Sequence, residues 1–573
     1  MNSTDIQGQG ADVYGAHELN NPLLVLSTKC IRSARGSDIS FWQEEVLKRT
    51  GDQGLIDAVV LAFQVRDIRG GRGERQLFYT MISNLYLKYP SLVLELMKLV
   101  PDYGSWMDVF KLMGYISNPA HRVQVKELIR KQLLEDEGAV ATNQKPSLLG
   151  KWLPREGNKY SALAKELAQH FWEHDERSFR KSINGMGSYR KRCAALNKAL
   201  ETVEVLECSN QWDKINPAKV PARAIQIKMA AYLNEYPDGT ENSLTMWRKQ
   251  NDPVRMSCRE NFKTFFLKAA EGEVPVSSNV YPHELVQKMF ESEPGEIDKR
   301  NAWNAVWDSI VDNLSVGALG SSIAMCDFSG SMRKGSTGVN TQPYFVSIAM
   351  GILTATLNTG PFKNMFMSFD STPMWQTIPP NGTLSQSVRA INYGLGQGCG
   401  TDFQKAMDLV LETLKAHRVK PCDVPKNLIV ITDMEFDEAR SYNRHPTNPY
   451  GHNTYRDIVK TEQWQTHVEM IRQGFKAAGE DLWGPIEAGG LGGWTAPRIV
   501  IWNVSGTNTS DYHARADEDG VLLLSGWSPS LFKSIFKGRS TMNLGLKEQL
   551  NDPRYDPVRS VVLNWIQSGW RLL

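Results

Sequence analysis

Residues 321–332 read Ser321-Ser322-Ile323-Ala324-Met325-Cys326-Asp327-Phe328-Ser329-Gly330-Ser331-Met332, an apolar run that ends in Asp-x-Ser-x-Ser. A short apolar run closed by Gly and Ser predicts a buried strand and a tight turn at its end. The turn gathers one carboxylate and two hydroxyls. Three hard oxygens at that spacing suit a divalent cation such as Mg²⁺. By themselves the same residues also read as a plain polar turn after a buried strand.

Two further segments supply the missing donors. Gly396-Gln397-Gly398-Cys399-Gly400-Thr401-Asp402 precedes a helix-like apolar run from Phe403 to Leu414. Asn427-Leu428-Ile429-Val430-Ile431-Thr432-Asp433 is a β-branched strand ending in an acid. A hydroxyl on one loop and a carboxylate on another, each at an element end, would complete a cation's shell. The three pieces together resemble the metal-ion-dependent adhesion site of von Willebrand factor type A domains. The resemblance implies Asp327, Ser329 and Ser331 as the first loop, Thr401 as the second and Asp433 as the third. Ser329, Ser331 and Thr401 are then neutral ligands of Mg²⁺ or a similar cation, and Asp327 and Asp433 act partly through bound waters. Such a site keeps residual positive charge and one position open to an Asp or Glu carboxylate from a partner protein. That is binding chemistry. A hydrolytic centre also needs a positioned base, usually with a His or a second metal. No His lies near the three loops, so metal-dependent hydrolysis is the runner-up to a non-catalytic binding protein.

The surrounding pattern predicts a doubly wound parallel-sheet domain over 317–573. Candidate strands are Ser321–Cys326, Asn364–Phe369, Asn427–Thr432, Arg498–Val504 and Gly520–Ser525. Helical patterns at Gln342–Leu357, Leu384–Tyr393, Asp402–Ala416 and Ser528–Phe536 alternate with them. That alternation implies a parallel sheet with ligands at the carboxyl ends of its strands. The stretch 436–497 is rich in Gly, Asn, Tyr and Trp and holds one helical pattern, Asp457–Ala477. It reads either as an insertion beside the metal face or as a solvated excursion.

The chain has 573 residues, a formal net charge of +2, 22% charged and 41% apolar residues, which places it among ordinary soluble proteins of at least two domains. No apolar run is long enough to span a membrane, and the first residues lack a basic-then-apolar leader. The seven cysteines, at 30, 193, 208, 258, 326, 399 and 422, form no CxxC pair. A reducing, cytoplasmic setting is expected, without structural zinc or a disulfide framework. A nearly neutral chain offers nucleic acid no global field, so any such binding needs a local patch.

Residues 1–15 read as a flexible terminus and 16–316 as an irregular α-helical, HEAT-like repeat domain. Helical patterns include Phe41–Arg49, Gly54–Val65, Gln76–Lys88, Ser91–Leu99 and Trp106–Met113. No fixed repeat period is present. Arg66-Asp67-Ile68-Arg69-Gly70-Gly71-Arg72-Gly73-Glu74-Arg75 reads either as a backbone cradle for phosphate or as a Gly-rich interhelical turn with Arg–acid pairs. Pro101 to Asp108, Lys151 to Glu156, Tyr189 to Arg192 and Gln211 to Ala224 are equally distinctive. In this order, ahead of the first motif, these segments resemble the layout of the Ro autoantigen (TROVE) proteins. They resemble more closely an uncharacterised family of plants, viruses and microbes. The Ro resemblance implies binding of small structured RNAs or single-stranded RNA ends on a basic surface of the helical half. The stretch that fits best is Arg177, Arg180, Lys181, Arg190, Lys191 and Arg192, with Phe179 and Tyr189 interleaved. Phosphate attraction with base stacking holds single strands without reading sequence. The alternatives are a solvated charged face and a protein-only scaffold.

Overall fold

The computed structural model describes residues 21–30, 36–49, 51–157, 159–174, 185–235, 251–276, 280–292, 295–315, 319–333, 343–369, 372–391, 403–433, 458–504, 520–527 and 542–569. The chain divides into two compact units. One comprises 1–46 with 266–551, the other 47–265 with 552–573.

The first unit is built on a six-stranded sheet. Its strands are β1 Ser322–Asp327, β2 Met365–Phe369, β3 Met374–Thr377, β4 Asn427–Thr432, β5 Arg498–Asn503 and β6 Val521–Ser525. Their spatial order is β3-β2-β1-β4-β5-β6. All pairings are parallel except β2 with β3. Every residue of β1 and β4 is buried, as expected of central parallel strands covered on both faces. On one face Ile323, Met325, Met367, Phe369, Leu428 and Val430 pack with Ala406, Val410 and Leu414 of the helix Phe403–Ala416. The helix Pro343–Leu357, buried along most of its length, lies against β1, β2 and β4. Helix existence and type follow the sequence pattern closely. The four-residue edge strand β3 was not anticipated, since it is too short to show alternation. The helical pattern at Ser528–Phe536 lies outside the described residues, as does the terminus 1–15.

Two parts of the domain reading meet the structure in more detail. The end of the stretch 436–497 is no solvated excursion. Within the helix Ile458–Trp483, Phe475 is fully buried, and with Trp494 it joins the core against β1, β2 and β4. The indole N–H groups of Trp483 and Trp494 both donate to the carbonyl of Val419, at 2.9 and 3.0 Å. Gly479 makes that closure possible, because a methyl there would lie 2.2 Å from the backbone nitrogen of Trp494. Gly479→Ala is therefore expected to destabilise this unit by about 2 kcal/mol or more, since backbone on both sides must move. Thermal unfolding that matches the wild type would refute this. The second concerns the boundary at 316/317. Helices Pro282–Glu291 and Ile297–Ser315 pack against Pro343–Leu357 and Leu384–Ala390, and the amide of Ser385 donates to Asn304 Oδ1 at 3.1 Å. They belong to the sheet-bearing unit, whereas 552–569 belongs to the helical one.

The helical unit centres on Gly51–Arg66, which is buried on nearly every side from Gly54 onward. Such all-round burial explains why its apolar residues run together rather than fall on one stripe. It packs against Gln76–Lys88 and against the C-terminal helix Asp556–Gln567, which also meets Pro90–Leu96. Val558 and Val562 are fully buried, and Trp565 Nε1 donates to Ser91 Oγ at 2.9 Å. No helix among the described residues is long and apolar enough to cross a membrane.

Candidate functional site

The strand numbering runs out in opposite directions from the junction of β1 with β4. In open α/β sheets that junction is where a crevice forms beyond the carboxyl ends of the strands. Asp327 is the last residue of β1, Thr432 the last of β4, and Asp433 follows it. Asp327, Ser329 and Asp433 are all buried, at 0%, 4% and 5% exposure. Between Asp327 and Ser329, Phe328 turns into the core against Tyr344 and Phe366. Asp327 Oδ1 accepts the Ser329 amide at 2.9 Å, and Oδ2 accepts the Thr432 hydroxyl at 2.7 Å. Burial pushes the Asp327 carboxyl up to about 7, the neighbouring charge of Asp433 adds to the rise, and the hydrogen bonds from Ser329 and Thr432 oppose it.

Ser331 has its backbone in the turn Gly330–Arg333, and Thr401 lies outside the described residues. Three of the five expected donors thus have described side chains, and they converge on the carboxyl end of adjacent strands. Thr432 was not anticipated. In a fully buried strand a β-branched hydroxyl looks like one more Val, and only its register opposite Asp327 distinguishes it. Cys326 is also buried, which pushes its thiol well above the usual range and leaves it inert.

Two adjoining buried carboxylates among hydroxyl and amide donors form an electron-rich cluster that a hard cation would neutralise. Among the described residues no three His, Cys, Asp or Glu side chains gather in a metal-binding arrangement. The described donors at this junction are carboxylate and hydroxyl oxygens.

The distinctive segments of the helical unit pair with one another. Arg66 is almost fully buried and its Nη2 donates to Asp108 Oδ2 at 2.7 Å. Asp108 also accepts the Tyr79 hydroxyl at 2.5 Å and the Ser105 amide and hydroxyl at 2.7 and 3.0 Å, closing a capping box on Trp106–Met113. The Ile68 amide donates to the Tyr103 carbonyl at 3.0 Å. A methyl at Gly104 would sit 2.4 Å from Asp108 Oδ2 and 2.8 Å from Arg66 Nε, so only glycine admits the pair. Asp67, fully buried, accepts from Arg554 and from the Tyr555 hydroxyl, and Tyr103 stacks on Tyr555. The segment 66–75 is therefore an interhelical turn with Arg–acid pairs, and the phosphate-cradle alternative is set aside. Likewise Tyr189 Oη donates to the Pro154 carbonyl at 2.9 Å, and Arg190 pairs with Glu156.

Of the residues expected to meet RNA, Arg177, Arg180 and Lys181 lie outside the described residues. Arg190 is exposed but paired with Glu156. Arg192, only 14% exposed, donates to both oxygens of Glu137 at 2.5 and 2.9 Å and lies over the Phe171 ring. Lys191 is exposed.

Residues 321–556 match the family described as "Domain of unknown function (DUF7788)". The match takes in β1, β4 and the acids at their ends. An uncharacterised protein of Acanthamoeba polyphaga mimivirus is 24% identical over 504 residues, covering 83% of this chain and 76% of its own length. Among solved structures, the Deinococcus radiodurans Ro (RSR) protein aligns over 87% of this chain and 93% of its own, at 13% identity and a TM-score of 0.38.

Proposed function

We propose that the chain is a non-catalytic binding protein that grips a carboxylate of a partner protein through a divalent cation held at Asp327, Ser329 and Asp433. Ser331 and Thr401 would complete the shell in the manner of a von Willebrand factor type A adhesion site. The observation that carries this reading is the buried, hydrogen-bonded Asp327 beside Asp433 at the junction of β1 and β4. The cation, when bound, supplies residual positive charge to attract an acidic side chain. The residues of the chain orient it: Ser329 and Thr432 hold the Asp327 carboxylate in place. The test is isothermal titration with MgCl2, followed by pull-down of partners with and without chelator. Cation-independent partner capture would overturn the reading.

A second reading places single-stranded or small structured RNA on the helical unit. It draws support from exposed Lys191. Glu156 and Glu137 already neutralise two of the three basic residues at 190–192. Arg190→Ala/Lys191→Ala/Arg192→Ala is therefore expected to weaken RNA binding and lower its salt slope by about 1 rather than about 3. An unchanged slope would remove this stretch and favour a protein-only scaffold.

A further inference from the structure

We propose that His170 and His174 form a proton-sensitive latch in the helical unit, which releases the helix Ser161–His174 from the helix Pro119–Ala141 when the pair takes up a proton. The two imidazoles sit one turn apart on the same helix, with ring centroids 4.2 Å apart. His170 is only 4% exposed. Its Nε2 faces Glu127 Oε2 of Pro119–Ala141 at 3.5 Å, longer than a good hydrogen bond. His174 Nδ1 lies 2.8 Å from the His170 carbonyl. A carbonyl only accepts, so Nδ1 carries the hydrogen and a further proton on this ring goes to Nε2.

The surroundings are poorly equipped for the added charge. Glu127 is already held by Arg130 Nε and Nη2, each at 2.8 Å. Glu166, one turn before His170, takes Arg122 at 3.2 and 2.6 Å and Lys126 at 3.4 Å. On the neighbouring helix Gly185–Leu200, Arg192 lies over the Phe171 ring and is bound to Glu137. Among the described residues, Arg122, Lys126 and Arg130 thus outnumber Glu127 and Glu166 before either imidazole is charged. A proton on the pair adds one more cation to a half-buried site, and a second sets two like charges on touching rings. Burial, His174 and Lys126 accordingly hold His170 below its ordinary 6.5, against the pull of Glu127. The latch is therefore fully closed above about pH 6.5 and is lost as pH falls below it, because the released helix binds the proton better.

The experiment follows amide hydrogen exchange of the full chain at pH 7.0 and 5.0, corrected for intrinsic rates, in the wild type, His170→Gln/His174→Gln and Glu127→Gln. In the wild type, opening of 119–141 and 161–174 should rise by about tenfold at the lower pH, as uptake of one proton allows. Gly51–Arg66 should stay protected. The double variant should open equally at both pH values. Glu127→Gln removes the one acid that favours the charged pair, so it should enlarge the pH factor beyond that of the wild type. Asp327 responds to pH with the opposite sign and in the other unit, so the exchanging segments separate the two effects. A wild type that opens equally at both pH values would overturn the latch. So would a double variant that keeps the wild-type factor, or protection lost equally in Gly51–Arg66. Should the double variant fail to fold, an NMR titration of the wild-type imidazoles decides. Two rings that titrate separately at about 6.5, as isolated histidines do, overturn the proposal, and a pair that titrates well below supports it.

Discussion

Asp108→Ala is expected to destabilise the helical unit by about 4 kcal/mol or more. Removing one partner of a buried ion pair leaves the other charge uncompensated, at roughly 3–5 kcal/mol. Here the loss goes beyond Arg66. The Tyr79 hydroxyl and the Ser105 amide and hydroxyl also donate to Asp108, so the substitution orphans three further donors. Among the described residues Nε and Nη1 of Arg66 have no other acceptor to turn to. Urea unfolding should show the fall, and hydrogen exchange should show lost protection in Gly51–Arg66 and Trp106–Met113. For a unit of this size the midpoint should drop by roughly 10 °C. The double variant Arg66→Met/Asp108→Asn removes both charges and leaves an acceptor for Tyr79 and Ser105. It should lie closer to wild type than Asp108→Ala does, because a buried pair replaced as a whole costs far less than one broken. A stability for Asp108→Ala within about 1 kcal/mol of wild type would refute the clasp.

Asp327→Asn is expected to raise the stability of the cation-free protein and to abolish its stabilisation by Mg²⁺. The folded-state carboxyl titrates near 7, against an ordinary value of 3.8. Between those two values the native state holds a proton that the unfolded chain has released. Stability of the cation-free protein therefore falls as pH rises from about 4 to about 7, and the full penalty persists above that. At about 1.4 kcal/mol per pKa unit the penalty is on the order of 4 kcal/mol. Asparagine removes the charge and keeps an acceptor for the Ser329 amide. Its melting temperature at pH 8 should exceed that of the wild type without Mg²⁺ and should not move when Mg²⁺ is added. The wild type should gain stability with Mg²⁺ as mass action requires. Equal Mg²⁺-induced shifts in the two proteins would sink the prediction.

Much of the sheet-bearing unit was legible because parallel strands buried on both faces read as short apolar runs. β4 at Asn427–Thr432 matched its sequence pattern end to end, and β1 is shifted by one residue at each end. The acids at the ends of both strands were legible too, since a charge after an apolar run marks where the strand ends, even though both acids are buried. The edge strand β3 was not, because four residues cannot show a period. The core role of Phe475 and Trp494 was hidden too. Gly-rich chain around a tryptophan looks solvated until its indole is seen donating to Val419.

The helical half shows the opposite balance. Its helices follow from three- and four-residue spacing, but the purpose of its charged motifs does not. Arg66, Asp67, Asp108 and Arg192 have the composition of a phosphate surface, and a sequence lists charges without their partners. Only the tertiary structure decides that Arg66 meets Asp108 across 42 positions, that Asp67 meets Arg554 across 487, and that Arg192 meets Glu137 across 55. The first motif is different. Asp327, Ser329 and Asp433 were named by the sequence itself, because donor type and the ends of apolar runs are local properties. What the fold added was the register of β1 against β4, which sets Thr432 on Asp327 and Asp433 beside it. That long-range pairing ties the Asp327 carboxyl to the turn after β1 and to the end of β4 at once.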